Sequence, residues 1–328
     1  MNRRTFSAVI AGVAAGLGGA GAIRLWQSGG PVVRGPLPPS DLPTRRLGRT
    51  GVDLPILGLG GHHLGLAGSE RNARRLVETA LEEGIRFFDT AESYQAGMSE
   101  RWLGAAVREV RSEVFLMSKT HEPRERSAKS AREHLDGSLE RLGTDYLDLW
   151  QLHSIKSPED VDRAFRPGGA MEYIFEAKRE GRVRWIGVTG HMNAASHERA
   201  IHYWDEGWEF DTLQFPVNPI DYHQESFQRV VLDAARERDI AVIAMKTSAD
   251  GALVRGGVCT HEECLRYVWS LPVSMAVVGM ERQELVRRNA SVARARRFMD
   301  PPEREAFRER IRPRADPGLE WYKRSAAG

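Results

Sequence analysis

From Arg45 onward, short apolar runs alternate with longer stretches of helical period. The runs Ile56–Gly60, Arg86–Asp89, Val114–Ser118, Leu147–Leu152, Val183–Val188, Thr212–Phe215, Ala241–Met245 and Met275–Val278 read as strands. Between them, the stretch 71–83 puts Ala73, Leu76, Val77, Ala80 and Leu81 on one helical face. The stretch 128–141 does the same with Ala131, Leu135 and Leu139. Strands alternating with helices predict an α/β chain built on a parallel sheet. Eight such strands are also the number that closes a (β/α)8 barrel. An open doubly wound sheet shares this periodicity. No Gly-x-Gly-x-x-Gly follows the first strand, which weighs against that alternative. Ahead of the strands, Arg46–Leu54 reads as a β-hairpin around a Gly turn. Residues 289–311 read as two helices interrupted at Pro301-Pro302.

The N-terminus has a different character. Arg3 and Arg4 precede a Gly/Ala-rich apolar run from Ala8 to Ile23, with Ala20-Gly21-Ala22 as a small-residue cleavage site. This pattern predicts a twin-arginine export signal over 1–26 and engagement with export machinery. The expected destination is periplasmic, the alternatives being a cytoplasmic protein or one tethered by an uncleaved N-terminus. A Pro/Gly-rich linker is expected over 27–44, and one domain over 45–328. A chain of 328 residues is long enough for a single barrel. The net charge of +2, with basic residues dispersed among acidic ones, argues against a nucleic-acid partner. Cys259 and Cys264 make no disulfide framework; five apart on what reads as a helix, they are poorly spaced to face each other. With His261 they do not complete a zinc set, so no metal is expected.

Polar residues punctuate the strand ends. Asp89 and Tyr94 stand in Arg86-Phe-Phe-Asp-Thr-Ala-Glu-Ser-Tyr94, Lys119 ends Val114-Phe-Leu-Met-Ser-Lys119, and His153 ends Leu147-Asp-Leu-Trp-Gln-Leu-His153. If the runs are neighbouring parallel strands, these four gather at one mouth of the sheet, where such folds place their sites. Singly, each has an ordinary reading: a turn Asp, a half-buried Tyr, a surface Lys, a core His. Together, their order and flanking residues resemble the aldo-keto reductases over most of the chain after Thr44. The resemblance implies a (β/α)8 TIM barrel with an N-terminal hairpin across its bottom and C-terminal helices. It also implies a nicotinamide-dependent oxidoreductase that reduces an aldehyde or ketone, or oxidises the alcohol. Tyr94 would be the general acid/base, its pKa drawn down by the Lys119 ammonium. Asp89 would hold Lys119, and His153 would orient the substrate oxygen.

The cofactor contacts implied by the resemblance are less regular. Gly60, Thr189, Gly190, Gln214, Met245, Lys246, Thr247, Gly279, Met280, Arg282 and Asn289 occupy the corresponding strand ends and loops. Thr189 replaces a Ser hydroxyl, Gly190 brings no amide side chain, and Met245 stands where relatives stack an aromatic ring. Gly279, Met280 and Leu285 replace residues that NADPH-selective relatives use, and Glu281 opposes Arg282. NADP(H) is still expected over NAD(H). His62, His63, Trp150 and His191 are the candidate substrate contacts, and a His-rich mouth suits a sugar-like carbonyl or alcohol. A second function class is a nicotinamide-binding sensor or regulatory subunit with little turnover. Export raises a further expectation, a cofactor that stays bound and is recycled between two substrates.

Overall fold

A computed structural model describes residues 37–121 and 124–323. The arginine pair, the apolar run and most of the expected linker lie outside the described residues. Two short strands, β1 (Thr44–Arg46) and β2 (Asp53–Pro55), pair antiparallel as the expected hairpin. Eight parallel strands follow: β3 (Leu57–Gly60), β4 (Phe87–Asp89), β5 (Phe115–Thr120), β6 (Leu147–Leu152), β7 (Val183–Thr189), β8 (Thr212–Pro216), β9 (Ala241–Met245) and β10 (Met275–Gly279). They close in sequence order, with β10 against β3, so the fold is a TIM barrel rather than an open sheet.

Strand alternation sorts the apolar residues into two layers, because successive side chains point to opposite faces. Phe87, Phe115, Met117, Leu149, Ile243, Met275 and Val277 form one buried cluster inside the barrel, joined from the hairpin by Leu47 and Leu54. Phe88, Leu116, Trp150, Leu152, Leu213, Phe215, Val242 and Val278 belong to a second cluster, packed outward against the helices. The barrel is thus filled from below largely by apolar side chains, with the buried Gln151–Thr212 pair (2.9 Å) among them, and its charged groups lie at the upper end. The hairpin fits closely because Gly48 (φ 46°) has no Cβ, which would lie 2.4 Å from the Asp239 carbonyl oxygen. Packing also reaches back to Ser40, whose hydroxyl donates to the Gly84 carbonyl at 2.8 Å.

Local chemistry sets the helix ends. Ser69 caps the helix Glu70–Glu82, and Ser127 caps Ala128–Leu142, which stops at left-handed Gly143. The two helices expected to part at Pro301-Pro302 are present, and the prolines begin the second of them. Pro301 opens the helix Pro301–Ile311 behind the N-cap Asp300, after the separate helix Gln283–Arg294 has ended. Proline lacks an N–H, and the first helical turn needs none from it. Among the described residues no helix is long and apolar enough to cross a membrane.

Candidate active site

The interior parity of the strands carries four polar side chains to the mouth. Asp89 follows Phe87 on β4, Lys119 follows Phe115 and Met117 on β5, and His153 follows Leu149 and Gln151 beyond β6. Tyr94 comes from the loop after β4. There the Thr90 and Ser99 hydroxyls pair at 2.8 Å, and Ser99 donates to the Gly61 carbonyl at 2.8 Å. Lys119 Nζ donates to Asp89 Oδ2 at 2.7 Å, to the Thr90 carbonyl at 2.7 Å and to Tyr94 Oη at 3.4 Å. Gln214 Nε2 donates to the same Asp89 oxygen at 3.1 Å. The Tyr94 and His153 rings meet edge-on, 5.8 Å between centroids. Arg126 sets the backbone beneath His153: its guanidinium donates to the carbonyls of His153 (2.8 Å) and Ser154 (3.0 Å) and grips Asp160 at 3.0 and 2.8 Å.

The electrostatics of this cluster differ from expectation at Tyr94. Burial pushes its phenol well above the ordinary value, and the Asp89 charge pushes the same way. The Lys119 ammonium does not reverse this, because Asp89 sits closer to it than the phenol does and cancels much of its field. Burial also lowers Lys119, against the pull of Asp89. His153 is held well below its ordinary value, first by burial and then by Lys119. Tyr94 therefore keeps its proton and His153 is a neutral imidazole. Among the described residues His153 Nδ1 has no hydrogen-bond partner.

These four line a cleft of about 800 Å³ that runs from the barrel mouth to the helix Gln283–Arg294. Gly60, His62, His63, Thr189, His191, Gln214, Met245, Lys246, Thr247, Gly279, Arg282 and Asn289 line it too. Lys246 does so with its ammonium over the rings of Tyr322 (4.8 Å) and Trp321 (5.4 Å). Gly279 lies against the His63 ring: a Cβ there would come 2.1 Å from His63 Nδ1 and push the ring aside.

Three expected contacts lie elsewhere. Trp150 has the opposite strand parity to His153; it is fully buried in the outer layer, edge-on to Tyr173. Met280, one residue past Gly279, is likewise buried in the outer layer. Gly190 packs below the cleft: its amide donates to the Gln214 carbonyl at 3.2 Å, and a Cβ would come within 2.6 Å of the Ile155 carbonyl oxygen.

Several lining residues were not among those expected from the sequence. His121 stands edge-on to His153 at 5.1 Å, just past β5. Trp321 arrives from the C-terminal segment Pro317–Lys323, which Lys323 anchors to Asp221 at 2.7 Å while pairing with Glu320 of the same segment at 2.7 Å. Arg255, Arg288 and His261 line the far end near Asn289. The strand-end rule could have found His121; the others come from helices and the chain end, which that rule does not reach. Burial lowers the pKa of His62, His121 and His191, so the mouth is ringed by neutral imidazoles. Among the described residues no group of His, Cys, Asp and Glu could hold a metal ion.

Residues 56–258, more than half of the chain, match the model of the Aldo/keto reductase family. The chain belongs to the aldo/keto reductase family. It is accordingly an enzyme, a nicotinamide-dependent oxidoreductase acting on carbonyl compounds. It is 32% identical over 230 residues to an uncharacterized oxidoreductase of Bacillus subtilis, YrpG, covering 63% of this chain and 67% of that one. It is 31% identical over 180 residues to the methylglyoxal reductase YeaE of Escherichia coli, covering 49% and 60%. Among solved structures, the holo form of an aldo-keto reductase from Bacillus halodurans superposes with a TM-score of 0.70 at 23% identity, covering 82% and 96%. An aldo-keto reductase from Klebsiella pneumoniae in complex with NADPH gives 0.65 at 21%, covering 87% and 97%. At these identities the structural likeness concerns the fold.

Proposed function

We propose that this aldo/keto reductase reduces a small polar aldehyde or ketone with NADP(H), Tyr94 delivering the proton. One observation carries the reading: a buried phenol, its pKa raised by burial, lies 3.4 Å from an ammonium that is itself tied to Asp89 at 2.7 Å. The cleft fits a nicotinamide dinucleotide. Gln214 Oε1 is buried and, among the described residues, unpartnered, and Asn289 Oδ1, beside the His261 imidazole, lacks a well-formed hydrogen bond. A carboxamide N–H2 at the inner end and an adenine amine at the outer end would supply the missing donors. Thr189 and Gln214 would hold the carboxamide, and Met245 would cover a ring face. Arg282, with Arg255 and Arg288, would meet the phosphate that distinguishes NADP from NAD.

When bound, that group supplies hydride to the carbonyl carbon. The chain's own residues handle the oxygen. Tyr94 Oη donates its proton as negative charge develops there, and the tyrosinate left behind is stabilised by Lys119. Asp89 and the Thr90 carbonyl keep the ammonium pointed at the phenol. His153, a neutral imidazole lining the cleft, donates a ring N–H to the same oxygen and fixes its direction. The imidazoles of His62, His121 and His191 each offer a donor or an acceptor, which favours hydroxylated over purely apolar substrates. The N-terminal arginine pair and apolar run support export, which cell fractionation with mass spectrometry of the mature N-terminus would test.

Tyr94→Phe tests the mechanism. Removing the acid should lower kcat by roughly 10²–10⁴-fold while the NADPH dissociation constant stays within a few-fold. A variant with undiminished turnover would rule Tyr94 out as the proton donor.

A further inference from the structure

The chain has two cysteines, and the fold brings them together. The expectation of one helix carrying both fails because the helix His261–Trp269 begins only after Cys259, at the N-cap Thr260. Cys259 therefore leaves the helical path and folds back over the first turn, where its Sγ lies 3.4 Å from that of Cys264. Both thiols are free and buried. Their backbones are held in this relation from both sides. Arg314 donates to the Gly257 and Gly256 carbonyls at 2.5 and 2.6 Å, Val258 N donates to the Leu253 carbonyl at 2.8 Å, and Cys264 N donates to the Thr260 carbonyl at 3.1 Å. Thr260 and Glu263 form a reciprocal capping box, with Arg310 bound to Glu263 at 2.5 Å.

The two sulfurs are not equivalent. Cys259 is 9% exposed and Cys264 is fully enclosed, so Cys259 is the more accessible of the two. The hydrogen bond from its partner draws the Cys259 thiol below its ordinary value, and the same bond lifts that of Cys264 well above. The less enclosed thiol, held 3.4 Å from a second thiol behind it, has the arrangement of an attacking and resolving pair.

We propose that Cys259 and Cys264 form a redox-active dithiol that closes to an intrachain disulfide by exchange with a low-molecular-weight disulfide. The Cys259 thiolate attacks one sulfur of the oxidant, its S–S bond breaks, and the first thiol leaves. Cys264 then gives up its proton and attacks Cys259 Sγ in the mixed disulfide, expelling the second thiol. Two protein thiols are oxidised, the disulfide is reduced to two thiols, and the two protons end on the leaving sulfurs. The sulfurs must close by roughly 1.4 Å to reach a bond of about 2.05 Å. The bond would staple the start of the helix that carries His261 to the far end of the cleft. The proposal stands on the thiol geometry and is independent of the reaction assigned to the cleft.

The test equilibrates the folded full chain with oxidised glutathione, then counts free thiols and measures intact mass. The expected result is loss of both thiols, a mass lower by two hydrogens, and no covalent dimer. Cys264→Ser should stop at a glutathione adduct on Cys259, and Cys259→Ser should leave Cys264 unmodified. Hydrogen exchange in the peptide 259–265 should slow on oxidation; unchanged exchange would overturn the staple. Persistence of both thiols in the folded protein, while the same mixture oxidises the denatured chain, would overturn the proposal. So would an unresolved adduct on the wild-type protein, or a disulfide-linked dimer.

Discussion

His197 should make this barrel lose stability in mild acid by an amount that can be worked out beforehand. It lies on the helix Ala194–Asp205, fully buried, with its ring edge-on to Phe215 and Phe227 at 5.4 and 5.2 Å. Its Nε2 faces the Gln214 carbonyl at 3.4 Å, directly under the cleft. Burial lowers its pKa from 6.5 to about 4, against the opposing pull of the Gln214 and Asn193 carbonyls. Above the unfolded value both states are neutral and the residue contributes nothing to the pH dependence. Between the two values the unfolded chain binds the proton and the folded one does not, so stability falls as pH falls. At about 1.4 kcal/mol per unit, the loss between pH 7 and pH 5 is about 2 kcal/mol, and it levels off below the folded value. The assay is urea unfolding of wild type and His197→Gln at both pH values. Glutamine keeps an N–H for the Gln214 carbonyl but does not titrate. Other groups contribute equally to both proteins, so the wild type should lose about 2 kcal/mol more than the variant. Equal losses would refute the assignment of a neutral, proton-excluding His197. So would a direct NMR titration of its ring with a midpoint near the model-peptide value.

Other substitutions separate the chemistry from the scaffold. Lys119→Met should lower kcat by at least about 100-fold in steady-state assays, because the tyrosinate loses its cation, and it should also destabilise the fold by leaving Asp89 buried without its ammonium. Gln214→Leu should weaken NADPH binding by roughly tenfold in a titration, by removing the acceptor that awaits a carboxamide. Trp150→Ala should cost about 3–5 kcal/mol in urea unfolding, while kcat/KM of the remaining folded enzyme stays near wild type, since the indole is outside the cleft. Arg126→Leu should destabilise the fold by about 1–3 kcal/mol, since the buried Asp160 keeps Arg163 but loses its bidentate partner, and should raise KM as the backbone under His153 loosens.

The sequence by itself determined the strands, the helices and the four polar residues at the barrel mouth. Those are local or periodic facts: an apolar run alternates inside and outside, and the residue that ends it on the inner parity must emerge at the top. The same rule, applied strictly, separates Trp150 from His153 and Met280 from Gly279, because an odd offset along a strand faces the other layer. Residues outside that rule were decided by tertiary structure. Gly190 serves the packing of Ile155, and Trp321 reaches the mouth on a segment that Asp221 and Asn218, far away in the chain, hold through Lys323, Glu320 and Tyr322. The sulfurs of Cys259 and Cys264 meet because Cys259 lies ahead of the helix, which begins at His261 behind the N-cap Thr260. The protonation of Tyr94 was equally out of reach. The sequence brings an ammonium to the phenol, but whether that cation outweighs burial depends on how close Asp89 comes to Lys119, and that distance is set by the closed barrel.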